Sequence, residues 1–205
     1  AAGRPLQSAR ADSTARTTMV VGSLSDTDTL NPFVGVSVTA TQVFRLTYDY
    51  LIEYDTRTNE PGPGLAKSWD VSDDGLTWTF HLREGGQWSD GKPLTSKDVE
   101  FTYQTLMDHP TLAGSSVVRN FASVTASDPA TVVFRTKVPI PSMLTTDIPI
   151  VPAHVWSGHD PGEALTGDQA QISSGPFHLV ESRQSGYFKF ERRTGPGAAA
   201  RRSTP

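Results

Sequence analysis

The sequence predicts an α+β fold, and three features of one block of the chain carry that prediction. Residues Thr77–Leu82 alternate between apolar and polar side chains, which is the period of a half-buried strand. Asp73-Asp74-Gly75 precedes them and is typical of a hairpin turn, because glycine tolerates the positive φ that a tight turn needs. The stretch after Thr95 has the period of a helix. Strands and a helix therefore follow one another within the block.

The strand and the helix of this block each have a face that the pattern assigns to the core. Trp78, Phe80 and Leu82 share one face of the strand. Thr95 is expected to cap the helix, because its hydroxyl can accept from the amide of Asp98 while that carboxylate reaches back. Apolar residues at helical spacing and a terminating proline complete the helix signal: Val99, Tyr103, Leu106 and Pro110.

The part of the chain before this block is predicted to contain a tether, a strand and a helix. Residues 1–16 are small and polar and have no period, which predicts a disordered N-terminal tether. Thr17–Leu24 is predicted to form a strand because Val20 and Val21 give it an apolar centre. Val38–Tyr54 is predicted to form a helix with a single apolar stripe.

The part after the block is predicted to contain two hairpins. Val117–Ala126 and Thr131–Lys137 form the first, joined by a turn at residues 127–130. Gly175–Ser182 and Tyr187–Arg192 form the second, with a turn at residues 184–186. Four prolines in residues 138–152 predict a crossing between lobes.

Composition restricts the function classes. The chain has 205 residues, a net charge of −4 and no cysteine, which excludes disulfides and thiolate metal sites within it. No run of Lys or Arg suggests a nucleic-acid surface, and no apolar run approaches the roughly 20 residues of a membrane span. We expect a globular protein without a nucleic-acid partner or a cofactor.

Residues at fixed gaps give the sequence a specific signature. They are Ala66, Trp69, Asp74-Gly75-Leu76-Thr77-Trp78, Phe80, Leu82-Arg83, Gly85, Trp88, Asp90-Gly91, Pro93-Leu94-Thr95 and Asp98-Val99. Two flanking segments accompany them, Leu30-Asn31-Pro32 with Tyr48-Asp49-Tyr50-Leu51, and Ser174-Gly175-Pro176-Phe177 with Leu179-Val180-Glu181. Together these residues closely resemble the family 5 extracellular solute-binding proteins of ABC importers, the receptors for oligopeptides, dipeptides and nickel.

The resemblance implies a two-lobed fold with mixed sheets, of the large family 5 type. Residues 17–45 plus 149–192 are expected to form a discontinuous lobe one, and residues 46–148 a small inserted lobe that carries the signature. Residues 193–205 lose the family pattern and are expected to form an irregular tail. This loss predicts a truncated chain that lacks the second large lobe, and weak or absent solute binding by the chain alone.

The resemblance also places a ligand-facing loop after Leu30-Asn31-Pro32, around Val36, Ser37 and Val38. Backbone groups there are expected to pair with a peptide, an interaction that requires no particular side chain. The alternative is that Val36 and Val38 only begin the following helix. The family anchors a peptide amino terminus in the second lobe, so the resemblance names no anchor residue in this chain.

The resemblance implies a monomeric receptor outside the cytoplasmic membrane that delivers a solute to a permease. Peptide is the expected solute, with nickel chelates, oligosaccharides and opine-like compounds as competitors. A secreted hydrolase that uses Asp26 and Asp28, or a non-transporting sensor or scaffold, stays open as an alternative. Asp26 and Asp28 are expected to cap or to lie in a solvated loop, and we expect no catalytic residue.

Three other groups of residues invite a chemical interpretation. Trp69, Trp78 and Trp88 could form a sugar-stacking surface, but their strand and turn positions favour the core. The five histidines lack the spacing of metal ligands, so we expect no metal site. Ser174-Gly175-Pro176 supplies no base beside the serine and is not expected to hold a nucleophile.

Overall fold

The computed structural model describes residues 26–55, 57–183 and 186–194. In chain order, the helices and strands are α1 (Val38–Thr47), β1 (Ile52–Tyr54), β2 (Pro61–Pro63), β3 (Ala66–Val71), β4 (Thr77–Leu82), α2 (Ser96–Asp108), β5 (Phe121–Asp128), β6 (Thr131–Thr136), α3 (Ala153–Trp156), β7 (Phe177–Arg183) and β8 (Tyr187–Arg192). Two short 3₁₀ helices span Pro141–Thr145 and Gly167–Gln171. No described helix is long and apolar enough to cross a membrane.

A four-stranded antiparallel sheet, in the order β3-β4-β6-β5, supports α2. Aromatic rings fill the space between the sheet and the helix. The Phe134 ring lies edge-on to three others, with centroid distances of 5.3 Å to Phe80, 4.8 Å to Tyr103 and 5.7 Å to Phe121. Edge-to-face packing of this kind is the favoured geometry of buried aromatic pairs.

The prediction for β4 is confirmed in bounds and in face. Trp78, Phe80 and Leu82 are buried, whereas Thr77, Thr79 and His81 on the other face are partly exposed. The period of two therefore reports a strand with one face on the core. Gly75 has φ of +68° in the turn that precedes the strand, as the hairpin signal requires.

The predicted capping box of α2 is also confirmed. The Thr95 side chain accepts from the backbone at Asp98, and the Asp98 carboxylate accepts from the Thr95 amide at 2.8 Å. Its second oxygen accepts from the amide of Ala153 at 2.9 Å, which joins the start of α2 to the start of α3. Asp98 is buried, and this burial raises the pKa of its carboxyl group.

The prediction for the first helix was wrong at its end, because α1 stops at Thr47 and not at Tyr54. The Tyr48 amide closes the helix on the Phe44 carbonyl, and Tyr48 is itself extended, with φ −118° and ψ 153°. Beyond it the chain is in β pairing, since β1 is antiparallel to β2. Long-range pairing therefore replaced the last helical turns that the apolar stripe predicted.

The remaining predicted bounds shift by smaller amounts. β5 begins at Phe121 and not at Val117, because turns occupy the residues before it and the Phe121 amide closes one of them on the Val118 carbonyl. β6 ends one residue early, and β7 begins at Phe177, two residues late. The last strand, Tyr187–Arg192, is confirmed. The predicted strand Thr17–Leu24 and turn residues Gln184 and Ser185 lie outside the described residues.

The two places where the sequence predicts a boundary between lobes lie side by side. Tyr50 and Pro149 form an antiparallel bridge, and the Ile150 amide donates to the Asp49 carbonyl at 2.9 Å. The Arg45 guanidinium lies 3.8 Å from the centre of the Tyr50 ring. It also pairs with Glu53 and Asp147. One hydrophobic core includes residues on both sides of this junction, and the division into lobes stays a prediction.

Candidate functional site

The segment Val34–Val38, just before and at the start of α1, is the most exposed apolar stretch near the predicted ligand loop. Val36 is 76% exposed and Val38 is 70% exposed. These are the largest exposures among the large hydrophobic residues described. The exposed pair includes two of the residues that the resemblance assigns to the ligand, with Ser37 between them.

Asn31 fixes the start of this loop. Its buried side-chain amide donates to the carbonyls of Pro161 and Glu163, at 2.9 and 2.8 Å. Its side-chain oxygen accepts from the Phe33 amide at 2.8 Å. Its backbone carbonyl accepts from the amides of both residues that open the segment, Val34 and Gly35. The Leu30-Asn31-Pro32 motif is therefore a structural anchor.

Asp28 fixes the middle of the segment. Its carboxylate accepts from the amides of Val36 and Ser37 at 2.7 and 3.1 Å, and from the Ser37 hydroxyl at 2.8 Å. Burial by itself would raise the pKa of Asp28. The hydrogen bonds that favour its charged form lower this pKa to about 2. Asp28 is therefore ionised at neutral pH, and this agrees with the predicted capping role.

Ser37 has the conformation of a strand residue although it is the N-cap of α1. Its φ is −68° and its ψ is 153°, and its hydroxyl accepts from the Ala40 amide at 3.0 Å. Its own amide donates to Asp28 and its own carbonyl accepts from the Thr41 amide. In an extended residue these two groups share one side of the chain, and the flanking groups lie on the other side.

Those flanking groups are the carbonyl of Val36 and the amide of Val38. Neither makes a hydrogen bond with any residue that the structure describes. One acceptor and one donor thus stand two residues apart on an exposed edge. This is the spacing by which a strand pairs with one residue of a parallel neighbour.

Close packing holds Gly35 against α1. A Cβ atom at this position would lie 2.8 Å from Cζ of Phe44 and 3.2 Å from Cβ of Ala40. Because Phe44 and Ala40 are both buried, neither side chain can move away to accommodate a Cβ atom at this position. The segment therefore has contacts to α1 on one side and is exposed on the other.

A cavity of about 210 Å³ lies beside the anchor of the segment. It is lined by Asn31, Tyr48, Trp156 and residues 179–182 of β7, and Gln171 and Glu181 are among its polar lining groups. Pockets that enclose drug-sized ligands usually measure about 300–1,000 Å³. The cavity is smaller than this range, so the exposed edge at Ser37 is the better candidate for solute contact.

The other residues with an open chemical interpretation have structural partners. Trp78 and Trp88 are buried and Trp69 packs against the core, as predicted. His154 bonds to Asp90 at 2.8 Å. The part of the chain that the structure describes contains no group of three His, Cys, Asp or Glu residues able to hold a metal.

Ser174 is positioned by α1 and not by a catalytic base. It is buried, its hydroxyl accepts from the Asp49 amide at 2.8 Å, and its amide donates to the Thr47 carbonyl. The adjoining Gly175 is essential to this contact, because a Cβ atom there would lie 2.6 Å from the Leu46 carbonyl oxygen. The Ser174-Gly175-Pro176 motif thus fastens the last hairpin to the end of α1.

The fold matches that of solute-binding proteins of known structure. The sequence model of bacterial extracellular solute-binding proteins, family 5 middle, matches residues 60–197, which is more than half of the chain. The chain belongs to this family, so the predicted family and fold class are confirmed.

Individual relatives agree with this assignment. Protein XP55 of Streptomyces lividans is 38% identical over 79% of this chain and 29% of its own length. The periplasmic oligopeptide-binding protein OppA of Escherichia coli is 35% identical over 44% of this chain and 16% of its own. The crystal structure of a periplasmic oligopeptide-binding protein of Borrelia burgdorferi has a TM-score of 0.71 and 28% identity. This match covers 82% of this chain and 37% of that one, so the chain spans about a third or less of the length of these three relatives.

The assignment of Val36, Ser37 and Val38 to the ligand stays a prediction, and the structure shows that Val36 and Val38 are exposed. Sequence reasoning missed the side chains that hold this segment. Asp28 was considered only as an acid, a cap or a loop residue. Its contact with Ser37 spans nine positions of irregular chain, a distance at which local patterns carry no signal.

Proposed function

We propose that this protein acts as a solute-binding receptor of an ABC import system and that its solute is a peptide. Its family membership supports the receptor role, and two relatives named above are oligopeptide-binding proteins. We propose that the receptor works outside the cytoplasmic membrane as a monomer and delivers the solute to permease subunits. We also propose the lobe boundaries predicted from the sequence, with the Val34–Val38 segment at the cleft edge of lobe one.

The observation that carries the peptide proposal is the pair of backbone groups around Ser37. In an extended peptide, every second residue presents both its N–H and its C=O to the same neighbouring strand. One such residue would donate to the Val36 carbonyl and accept from the Val38 amide. Sugars and metal chelates do not repeat this arrangement, whereas peptides of any sequence do.

The charge state of Asp28 supports binding over acid–base chemistry. A general base works best with a pKa near the operating pH, and the pKa of Asp28 is lowered to about 2. Its four donors are the amides of Thr29, Val36 and Ser37 and the Ser37 hydroxyl, all in its own chain. The hydrolase alternative therefore lacks a suitable base at this position.

The test replaces one backbone donor without removing the segment. In Val38→Pro the chain loses the Val38 N–H, while proline is well tolerated at the first position of a helix and after an extended residue. Its affinity for trialanine and pentaalanine, measured by calorimetry, is expected to fall about three- to tenfold, the effect of one hydrogen bond. Thermal unfolding should be unchanged or slightly improved.

Val38→Ala is the matched control, because it shortens the same side chain and keeps the N–H. Equal affinities of the proline and alanine variants would exclude pairing at Val38. Titration with the nickel–histidine complex and with a trisaccharide tests the other solute classes. Binding of either of these solutes without binding of either peptide would overturn the peptide proposal.

A further inference from the structure

We propose that Asp28 is a positioning residue for solute binding, because it holds Ser37 in the extended conformation that leaves the Val36 carbonyl and the Val38 amide available. This inference rests on the proposed function of the same segment. It assigns a role to a side chain that does not itself face the solute.

The geometry explains how one carboxylate controls the conformation of the segment. Its oxygen Oδ2 accepts from two successive amides, Val36 and Ser37, and its oxygen Oδ1 accepts from the Ser37 hydroxyl. Two successive N–H groups reach one oxygen only over a narrow range of the torsion angles between them. The carboxylate therefore restricts the backbone between Val36 and Val38, whose carbonyl and amide are the two pairing groups.

The Ser37 hydroxyl transmits this restraint to α1. It donates to Asp28 at 2.8 Å and accepts from the Ala40 amide at 3.0 Å, so one side chain joins the carboxylate to the first turn of the helix. The carbonyl of Ser37 accepts from the Thr41 amide at 3.0 Å. The inward groups of Ser37 are thereby all used, and rotation of this residue would break several bonds at once.

Loss of Asp28 is expected to weaken binding through backbone freedom. Without the carboxylate, Ser37 can adopt other conformations, and a solute must then select the extended one. Fixing the backbone of one residue corresponds to roughly a tenfold change in an equilibrium constant. We therefore expect Asp28→Ala to bind trialanine about tenfold more weakly, with Asp28→Asn between this variant and the unmodified protein, because its amide oxygen still accepts a hydrogen bond.

Asp55 provides a matched control elsewhere in the chain. Its carboxylate also accepts from two backbone amides in a loop, those of Arg57 and Thr58 at 2.8 and 2.9 Å. The loop connects β1 to β2, so Asp55→Ala should leave trialanine affinity unchanged. Equal weakening by Asp55→Ala and Asp28→Ala would overturn the positioning role.

A second measurement needs no solute. Amide hydrogen exchange in the free protein is expected to be slow at Val36 and Ser37 and to accelerate at both in Asp28→Ala, but not in Asp55→Ala. Unchanged exchange in Asp28→Ala would overturn the inference even if peptides bind. If exchange accelerates and the unmodified protein binds the nickel–histidine complex or a trisaccharide but no peptide, Asp28 still restrains the segment and the proposed function fails. If the unmodified protein and Asp28→Ala bind peptides with equal affinity, the positioning role is wrong and the receptor proposal stands.

Discussion

The signature block, residues 64–103, and the Val34–Val38 segment use their side chains in opposite ways. The block around β4 and α2 places its distinctive residues in the core, where Phe80 and Tyr103 have no exposed surface. The segment places Val36 and Val38 in solvent and uses polar side chains to hold its backbone. The comparison teaches that the residues that identify the family maintain the fold, while the candidate binding groups are backbone atoms with little sequence signature.

The largest effect on stability is expected from Phe80→Ala in the signature block. The Phe80 ring contacts Phe134 at a centroid distance of 5.3 Å and stacks on Trp78 at 6.2 Å, so its removal leaves a cavity. Urea unfolding followed by tryptophan fluorescence should show a loss of about 3–5 kcal/mol. Val71→Ala, at an exposed end of β3, should change the unfolding free energy by less than about 0.5 kcal/mol. A loss at Phe80 no larger than at Val71 would remove the contrast between block and segment.

The next largest effect is expected from Gly175→Ala. The new Cβ atom would lie 2.6 Å from a backbone oxygen, which cannot move as a side chain can. Overpacking of this kind costs about 1–3 kcal/mol. Gly62→Ala is the control, because the nearest atom to its new Cβ would be 3.9 Å away. Equal unfolding midpoints for the two variants would show that the end of α1 and the last hairpin adjust independently.

Thr95→Ala tests the local part of the signature. The variant removes one half of the capping box of α2 and should cost about 1 kcal/mol of unfolding free energy. The Lys97 side chain is exposed and, among the described residues, pairs only with Glu100 on the same helix, so Lys97→Ala should change stability by less than about 0.5 kcal/mol. Both variants should bind peptides as the unmodified protein does. Weakened peptide binding in Thr95→Ala but not in Lys97→Ala would mean that the start of α2 affects the Val34–Val38 segment.

The most local effect is expected from acid titration of Asp28, which is read at the amides it holds. Its pKa is about 2 in the folded chain and about 3.8 in the unfolded chain, so folding lowers it. Its stabilising contribution is therefore complete above about pH 5 and is lost as the pH falls towards 2. Amide chemical shifts of Val36 and Ser37 should follow this titration with a midpoint near 2, and should not move in Asp28→Asn. A midpoint near 3.8 would show that the carboxylate does not hold these amides.

The sequence predicted those elements whose cause is local or periodic. The face of β4 follows from a period of two over six residues, and the cap of α2 follows from two residues three positions apart. The end of α1 was missed because Val43, Leu46 and Tyr50 share a helical stripe. Tyr48, Tyr50, Ile52 and Tyr54 also alternate, so a strand signal overlapped the helical one. Pairing of β1 with β2 decided between them, and no local pattern could have done so.

The support of the candidate site could not be predicted, because it depends on distant parts of the chain. The side chain of Asn31 bonds to carbonyls 130 and 132 residues further on. Those bonds form only when the loop at Pro161 lies against Asn31. A family resemblance predicts the position of the segment. The contacts that keep its shape, those of Asn31 and Asp28, are visible only in the three-dimensional structure.

The side chain of Arg193 gives the fold a late step in its assembly. Its guanidinium donates to the carbonyls of Gly175, 18 residues earlier, and of Gln87, 106 residues earlier, at 3.2 and 2.9 Å. During synthesis at roughly 5–20 residues per second, Gln87 leaves the ribosome several seconds or more before Arg193 is made. During that interval the carbonyl of Gln87 lacks the hydrogen bond that Arg193 later donates. Nascent chains arrested before and after residue 193 should therefore differ in protease resistance at this turn.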